Sequence, residues 1–145
     1  MFRGQFEHSI DAKGRTSLPA RFREILAARG SERLVITADV EPCLLAFPLD
    51  HWQAFEEKLG ALPRLDQRVK LVKRIYIGNA HEVSIDSAGR VLIPPPLRAH
   101  AGLEKEAVFT GQIEHIEIWS GESWQKAREE VTAEEFQKAL NGLGI

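Results

Sequence analysis

Phe6-Glu7-His8-Ser9-Ile10 alternates apolar and polar residues, the period of a half-buried strand. Ala12-Lys13-Gly14 then fits a three-residue hairpin loop, a type I turn closed by a left-handed residue. Asp11 suits the entry to such a turn and Gly14 supplies the positive φ. Arg15-Thr16-Ser17-Leu18 returns as a strand, which makes Asp11 and Arg15 cross-strand neighbours within pairing distance. Pro19 opens a helix predicted over 19–29, with Phe22, Ile25 and Leu26 along one side and Gly30 as its stop. Two short apolar strands follow, 34–37 and 44–47, and then a helix with Asp50 as N-cap and Trp52, Phe55 and Leu59 at helical spacing.

The same order is then written again. Ser9-Ile10-Asp11-Ala12-Lys13-Gly14-Arg15 is matched by Ser84-Ile85-Asp86-Ser87-Ala88-Gly89-Arg90, and Pro19 by Pro94, all at an offset of 75 residues. A helix predicted from the Pro94-Pro95-Pro96 run to Gly102, strands at 108–110 and 116–119, and Trp124 complete the second copy, with the offset drifting to 72. Between the copies lies a predicted helix with Leu65, Val69, Val72 and Tyr76 on one face and Arg68, Lys70, Lys73 and Arg74 among the rest. Thr132-Ala133-Glu134-Glu135 reads as a capping box for a terminal helix to Leu140, stopped by Asn141-Gly142. No Gly/Ser/Pro linker separates the halves, so one compact pseudo-twofold body is expected, α+β and rich in strands. The expected divisions are 5–52 and 81–124 for the repeats, 53–80 for the connecting helices and 125–145 for the C-terminal helices.

Composition narrows the function classes. At 43% hydrophobic and 28% charged, the chain has the make-up of an ordinary globular domain with apolar runs too short to span a bilayer. Met1 to Glu7 shows no apolar signal region, so the expected compartment is the cytoplasm, with no membrane partner. The single cysteine, Cys43, is expected to be a small buried hydrophobe. Five scattered histidines lack metal-ligand spacing, and no nucleophile elbow, P-loop or GxGxxG is present. Neither an enzyme nor a cofactor or small-molecule substrate is expected. Net charge is −2, but residues 1–33 hold seven Lys/Arg against four Asp/Glu, a local balance of +3 that leaves −5 for the remainder. A basic region on an acidic body can concentrate a polyanion locally.

The duplicated loop is the candidate site. Turn chemistry alone accounts for Asp11, Gly14, Asp86 and Gly89, and each arginine could simply pair with its aspartate. It accounts less well for Lys13 at the loop tip and for an arginine kept in both copies, Arg15 and Arg90. Arginine offers a planar fork suited to phosphate and guanine edges, and a β-ribbon can enter a major groove. On spacing alone, a binding role and a pure turn role stand even.

At these residues the chain resembles the MraZ family of bacterial transcriptional regulators, which carry two AbrB-like swapped-hairpin domains. The likeness covers the Met1-Phe2-Arg3-Gly4 start, both Asp-x-x-x-Arg loops, the Leu18-Pro19 and Ile93-Pro94 junctions and the basic connecting helix. It implies a β-rich double-split barrel of two repeats, self-association into closed rings, and double-stranded DNA as partner. It also implies DNA sites at short repeats upstream of the division and cell-wall gene cluster, including the regulator's own gene. Carried over by position, the DNA-binding residues are Asp11, Lys13, Gly14 and Arg15 in the first loop and Asp86 and Arg90 in the second, with Arg3 in the same candidate set. Arg15 would reach a phosphate or base edge, Asp11 would orient it, and Gly14 would allow close approach. Ser87-Ala88 replaces Ala12-Lys13, so the second loop has one cation fewer. The basic stretch 68–74 is a second candidate, facing DNA or a neighbouring subunit, beside the plainer reading of a solvated polar face over an apolar stripe. The rival readings are an AbrB-like antitoxin, which a co-purifying toxin would reveal, and a ring-forming structural protein that binds no DNA.

Overall fold

A computed structural model describes residues 1–145. Eight strands form, β1 (Gln5–Ser9), β2 (Arg15–Ser17), β3 (Arg33–Ala38), β4 (Cys43–Pro48), β5 (His81–Ser84), β6 (Arg90–Leu92), β7 (Glu106–Gly111) and β8 (Ile116–Trp119). Six helices accompany them: α1 (Ala20–Ala28), α2 (Leu49–Gly60), α3 (Gln67–Val72), α4 (Pro95–Ala101), α5 (Gly121–Glu129) and α6 (Ala133–Leu143). A π-helical turn, Lys73–Ile77, continues α3.

The strands are shared between the repeats. Six of them form one antiparallel sheet in the order β1-β7-β8-β4-β3-β5, which is a palindrome under exchange of the two halves. β1 of the first repeat lies against β7 of the second, and β5 of the second lies against β3 of the first. Each half therefore completes the sheet of the other, and the expected pseudo-twofold body is built by exchange rather than by contact. The remaining strands, β2 and β6, pair as a separate two-stranded ribbon. Its register sets Thr16 opposite Val91, its own counterpart at the offset of 75, so the pseudo-twofold axis passes through this pair.

The alternation in the strands decides where the core lies. Leu34, Ile36, Leu44, Ala46, Phe109, Ile116 and Ile118 point to one face of the sheet. There they meet Phe22 and Leu26 of α1, Leu97 and Ala101 of α4, and the inward residues of the ribbon. Phe22 sits at the centre, fully buried, with Phe2 and Phe6 edge-on at 5.4 and 5.2 Å. The opposite face is covered by an aromatic row of Phe47, Trp52, Phe55 and Tyr76 in the first half and by Trp119 and Trp124 in the second. No helix is long and apolar enough to cross a membrane.

Three local expectations are corrected. Asp50 is not an N-cap: α2 begins at Leu49 after Pro48, and the Asp50 carboxylate accepts from Arg29 at 2.9 Å. Leu65 does not join the helical face of Val69, because Asp66 caps α3 through the Arg68 amide and leaves Leu65 outside, 72% exposed. The terminal helix runs through Asn141 and Gly142 to Leu143 and ends at left-handed Gly144, although Thr132 caps its start as expected.

The axis residue Thr16 is 1% exposed and its hydroxyl has no hydrogen-bond partner. An unsatisfied buried hydroxyl costs about 1–3 kcal/mol. Thr16→Val, which places valine against Val91, is expected to raise stability by about 1 kcal/mol, or roughly 3 °C in thermal midpoint. A calorimetric scan in which the variant melts at or below the wild-type temperature contradicts that reading of the hydroxyl.

Candidate nucleic-acid interface

Both loops close by the same bonds. In the first, the Gly14 amide donates to the Asp11 carbonyl at 3.0 Å and the Asp11 amide to the Arg15 carbonyl at 2.9 Å. Asp11 Oδ1 accepts from the Lys13 and Arg15 amides, each at 2.9 Å, while Oδ2 accepts from Arg15 Nε at 2.8 Å. In the second, Asp86 Oδ1 accepts from the Ala88 and Arg90 amides at 2.9 Å and Oδ2 from Arg90 Nε at 3.1 Å. Gly14 and Gly89 hold φ of +91° and +78°, the left-handed conformation the turn requires. The strands then part. Only a bridge between Ile10 and Thr16 joins them, because β1 is drawn to β7 and β2 to β6.

This anchoring lowers the pKa of Asp11 from the ordinary 3.8 to about 2, chiefly through the Arg15 amide and then through the Arg15 guanidinium. Asp86 is lowered for the same reason, with the Arg90 amide first. A depressed carboxylate supports the folded loop fully above its ordinary range, and that support is lost as pH falls towards the folded value. A carboxyl NMR titration should place the Asp11 midpoint near 2, with the Lys13 and Arg15 amide signals unmoved at pH 4. A midpoint at the ordinary 3.8 would show that the loop bonds do not persist in solution.

The ribbon brings the loops together. Thr16 and Val91 turn inward, each 1% exposed, so their neighbours Arg15, Ser17, Arg90 and Leu92 turn outward. Arg15 stands opposite Leu92 and Arg90 opposite Ser17, which makes the two arginines diagonal neighbours, roughly 7–8 Å apart. The Leu18 amide donates to Gly89 and the Ile93 amide to Gly14, which tie each loop to the strand beside the other. Each guanidinium is partly exposed and spends only its Nε on the aspartate, so its terminal nitrogens are free of that pair as donors for phosphate oxygens or a guanine edge. Lys13 is exposed at the tip of the first loop.

The other candidates stand apart. Arg3 lies before β1, next to the bridge between Phe2 and Ile113, at the end of that strand away from the first loop. The basic stretch 68–74 sits on the sheet face opposite the ribbon, where the Tyr76 carbonyl accepts from Thr37 at 2.7 Å. There Arg68 pairs with its own cap, Asp66, at 2.6 Å. Asp39, Cys43 and Glu117 form the one cluster with metal-ligand atoms in reach of each other. Its carboxylates accept from Tyr76 Oη and Trp119 Nε1, both at 3.1 Å, and burial pushes the Cys43 thiol well up, so the cluster works as a brace between the sheet and the π-helical turn.

Two residues escaped the sequence reading. The guanidinium of Arg98, from α4, lies against Gly14, and that of Arg23, from α1, lies against Gly89. The signal was available, for Arg23 and Arg98 are separated by the same 75 residues as the loops.

An exchanged pair of hairpins, with duplicated Asp-x-x-x-Arg loops on one outward ribbon, is the swapped-hairpin class expected from the sequence. The family model described as "MraZ protein, putative antitoxin-like" matches twice, over residues 1–75 and 76–142. Proteins named transcriptional regulator MraZ are similar over most of their length. That of Azotobacter vinelandii is 46% identical over 86% of this chain and 82% of its own. That of Thioalkalivibrio sulfidiphilus is 41% identical over 96% and 93%, and that of a Marinomonas strain 42% over 99% and 93%. The chain belongs to the MraZ family.

Proposed function

We propose that the chain is a transcriptional regulator that binds duplex DNA through the β2–β6 ribbon. The observation that carries this reading is the placement of Arg15 and Arg90 side by side on one outward face, each oriented by its own aspartate. Preorganised donors of this kind bind without first ordering a loop, so less of the interaction is lost to entropy. Phosphate contacts from Lys13 and the arginines position the ribbon, and contacts to base edges give sequence preference. The names of the relatives support regulation of transcription as the outcome of binding. The family likeness points to short repeats upstream of the division and cell-wall gene cluster, including the protein's own gene, as the targets. Action is then in the cytoplasm, at the nucleoid.

One ribbon offers few cations, and a chain of net charge −2 gains little from long-range attraction. Self-association into a ring resolves this, since several ribbons on one rim add their contacts and linked sites gain avidity. The exposed Phe136 and Leu143 on α6 leave apolar surface for such contacts.

Footprinting on duplex DNA from immediately upstream of the protein's own gene, with a light-scattering mass of the free protein, tests both parts. Protection of short repeated sites by a species heavier than one chain is expected. A protein that protects no site, and whose binding to any duplex is insensitive to salt, would sink the DNA-binding reading.

A further inference from the structure

Arg23 and Arg98 differ from the other arginines near the ribbon. Arg15, Arg29, Arg33 and Arg90 each pair with a carboxylate. Arg23 and Arg98 pair with none, and the Nε of each is buried with no hydrogen-bond partner. Both guanidinium groups lie on glycine backbone: a Cβ on Gly14 would fall 2.5 Å from Arg98 Cζ, and one on Gly89 would fall 2.7 Å from Arg23 Cζ. Gly14 and Gly89 are buried although they belong to surface loops, and these arginines lie over them. The arrangement occurs twice, at the common offset of 75 residues, and each time it crosses the axis. Arg98 of the second repeat serves the first loop, and Arg23 of the first repeat serves the second.

A guanidinium held in place with a buried nitrogen unsatisfied and no carboxylate within pairing distance is a charge able to take an anion. We propose that Arg98 and Arg23 are phosphate-binding residues that complete the two DNA-binding loops crosswise, each supplied by the opposite repeat. This rests on the DNA-binding reading above. The first loop then presents Lys13, Arg15 and Arg98 around Asp11, and the second presents Arg90 and Arg23 around Asp86, with Glu32 lining the same pocket as Arg23. Neither repeat holds a complete loop by itself. The glycines have two tasks, to close the turn and to leave room for an arginine from across the axis.

The test uses the full chain and a labelled duplex from immediately upstream of its gene, with affinity read across a salt series. Arg98→Gln is expected to weaken binding about tenfold and to reduce the salt slope by about 0.9 for each subunit engaged. The loss should be equal on an unrelated duplex of the same length, because a phosphate contact carries no sequence information. Arg98→Lys should restore the slope while recovering only part of the affinity. Residues sharing a loop should couple: Arg15→Ala with Arg98→Gln should lose less than the product of the single effects, whereas Arg15→Ala with Arg23→Gln should give that product. Unchanged affinity and slope in Arg98→Gln, with wild-type binding intact, overturn the crosswise assignment alone, as does coupling of Arg15 to Arg23 instead of Arg98. If Arg98→Gln melts early, the comparison passes to Arg98→Lys, whose salt slope must match wild type for the proposal to stand. A wild-type chain without salt-dependent binding removes the DNA-binding reading and this inference together.

Discussion

Arg15→Ala is expected to weaken binding to duplex DNA by more than about tenfold, since a bidentate arginine contact contributes about 1–3 kcal/mol. Its thermal midpoint and oligomer size should stay near wild type. The separation follows from the geometry. The bond from Arg15 Nε to Asp11 is half-exposed, and pairs of that kind contribute about 0–1 kcal/mol to stability. The loop keeps its shape without the side chain, because the Arg15 and Lys13 amides still donate to Asp11 Oδ1. The loss is therefore of donors to the ligand and not of fold. A mobility-shift assay in which Arg15→Ala binds as well as wild type would remove Arg15 from the interface.

The largest effect on stability is expected at Phe22. It is completely buried, and its ring receives Phe2 and Phe6 edge-on, so it ties the N-terminal segment and β1 to α1 under the ribbon. Truncating such a residue costs about 3–5 kcal/mol through lost contacts and the cavity left behind. Against a typical total of about 5–15 kcal/mol, Phe22→Ala should lower the thermal midpoint on the order of 10 °C. Because β1 pairs with β7 of the other repeat, the damage should reach both halves in one transition. Separate melting of the halves, or a drop of only a degree or two, would contradict a core shared across the axis.

What the sequence disclosed was local. The turn at 11–15 was legible because Asp11 and Gly14 satisfy short-range demands, a side-chain acceptor for two amides and a positive φ. Strand exchange was not written in the alternation, since Phe6 and Ile10 face inward whether β1 pairs with β2 or with β7. Only the family likeness carried that expectation. Asp50 and Leu65 misled for different reasons: α2 starts at Leu49 directly after Pro48, which leaves the Asp50 carboxylate to pair with Arg29, and the local cap of Asp66 on the Arg68 amide starts α3 after Leu65. Arg23 and Arg98 carried no expectation from the sequence, and their place against the loops became visible only when the opposite loop was laid beside them. The basic stretch 68–74 shows the reverse, a conspicuous charge run that the fold places on the face away from the ribbon.

An acidic chain can bind a polyanion when its cations are grouped on one face. The cations that matter are few, and most of the acidic excess lies outside the first 33 residues. Binding of this kind should be steep in salt, because each phosphate contact adds about −0.9 to the slope.

The most direct measurement is an amide NMR titration of the full chain with duplex DNA from upstream of its own gene. The first and largest shifts are expected at 13–15 and 87–90, on both loops of the ribbon, with the side-chain signals of Arg15 and Arg90 moving alongside. Shifts confined to α3 and the π-helical turn, or none at saturating DNA, would contradict DNA binding at the ribbon.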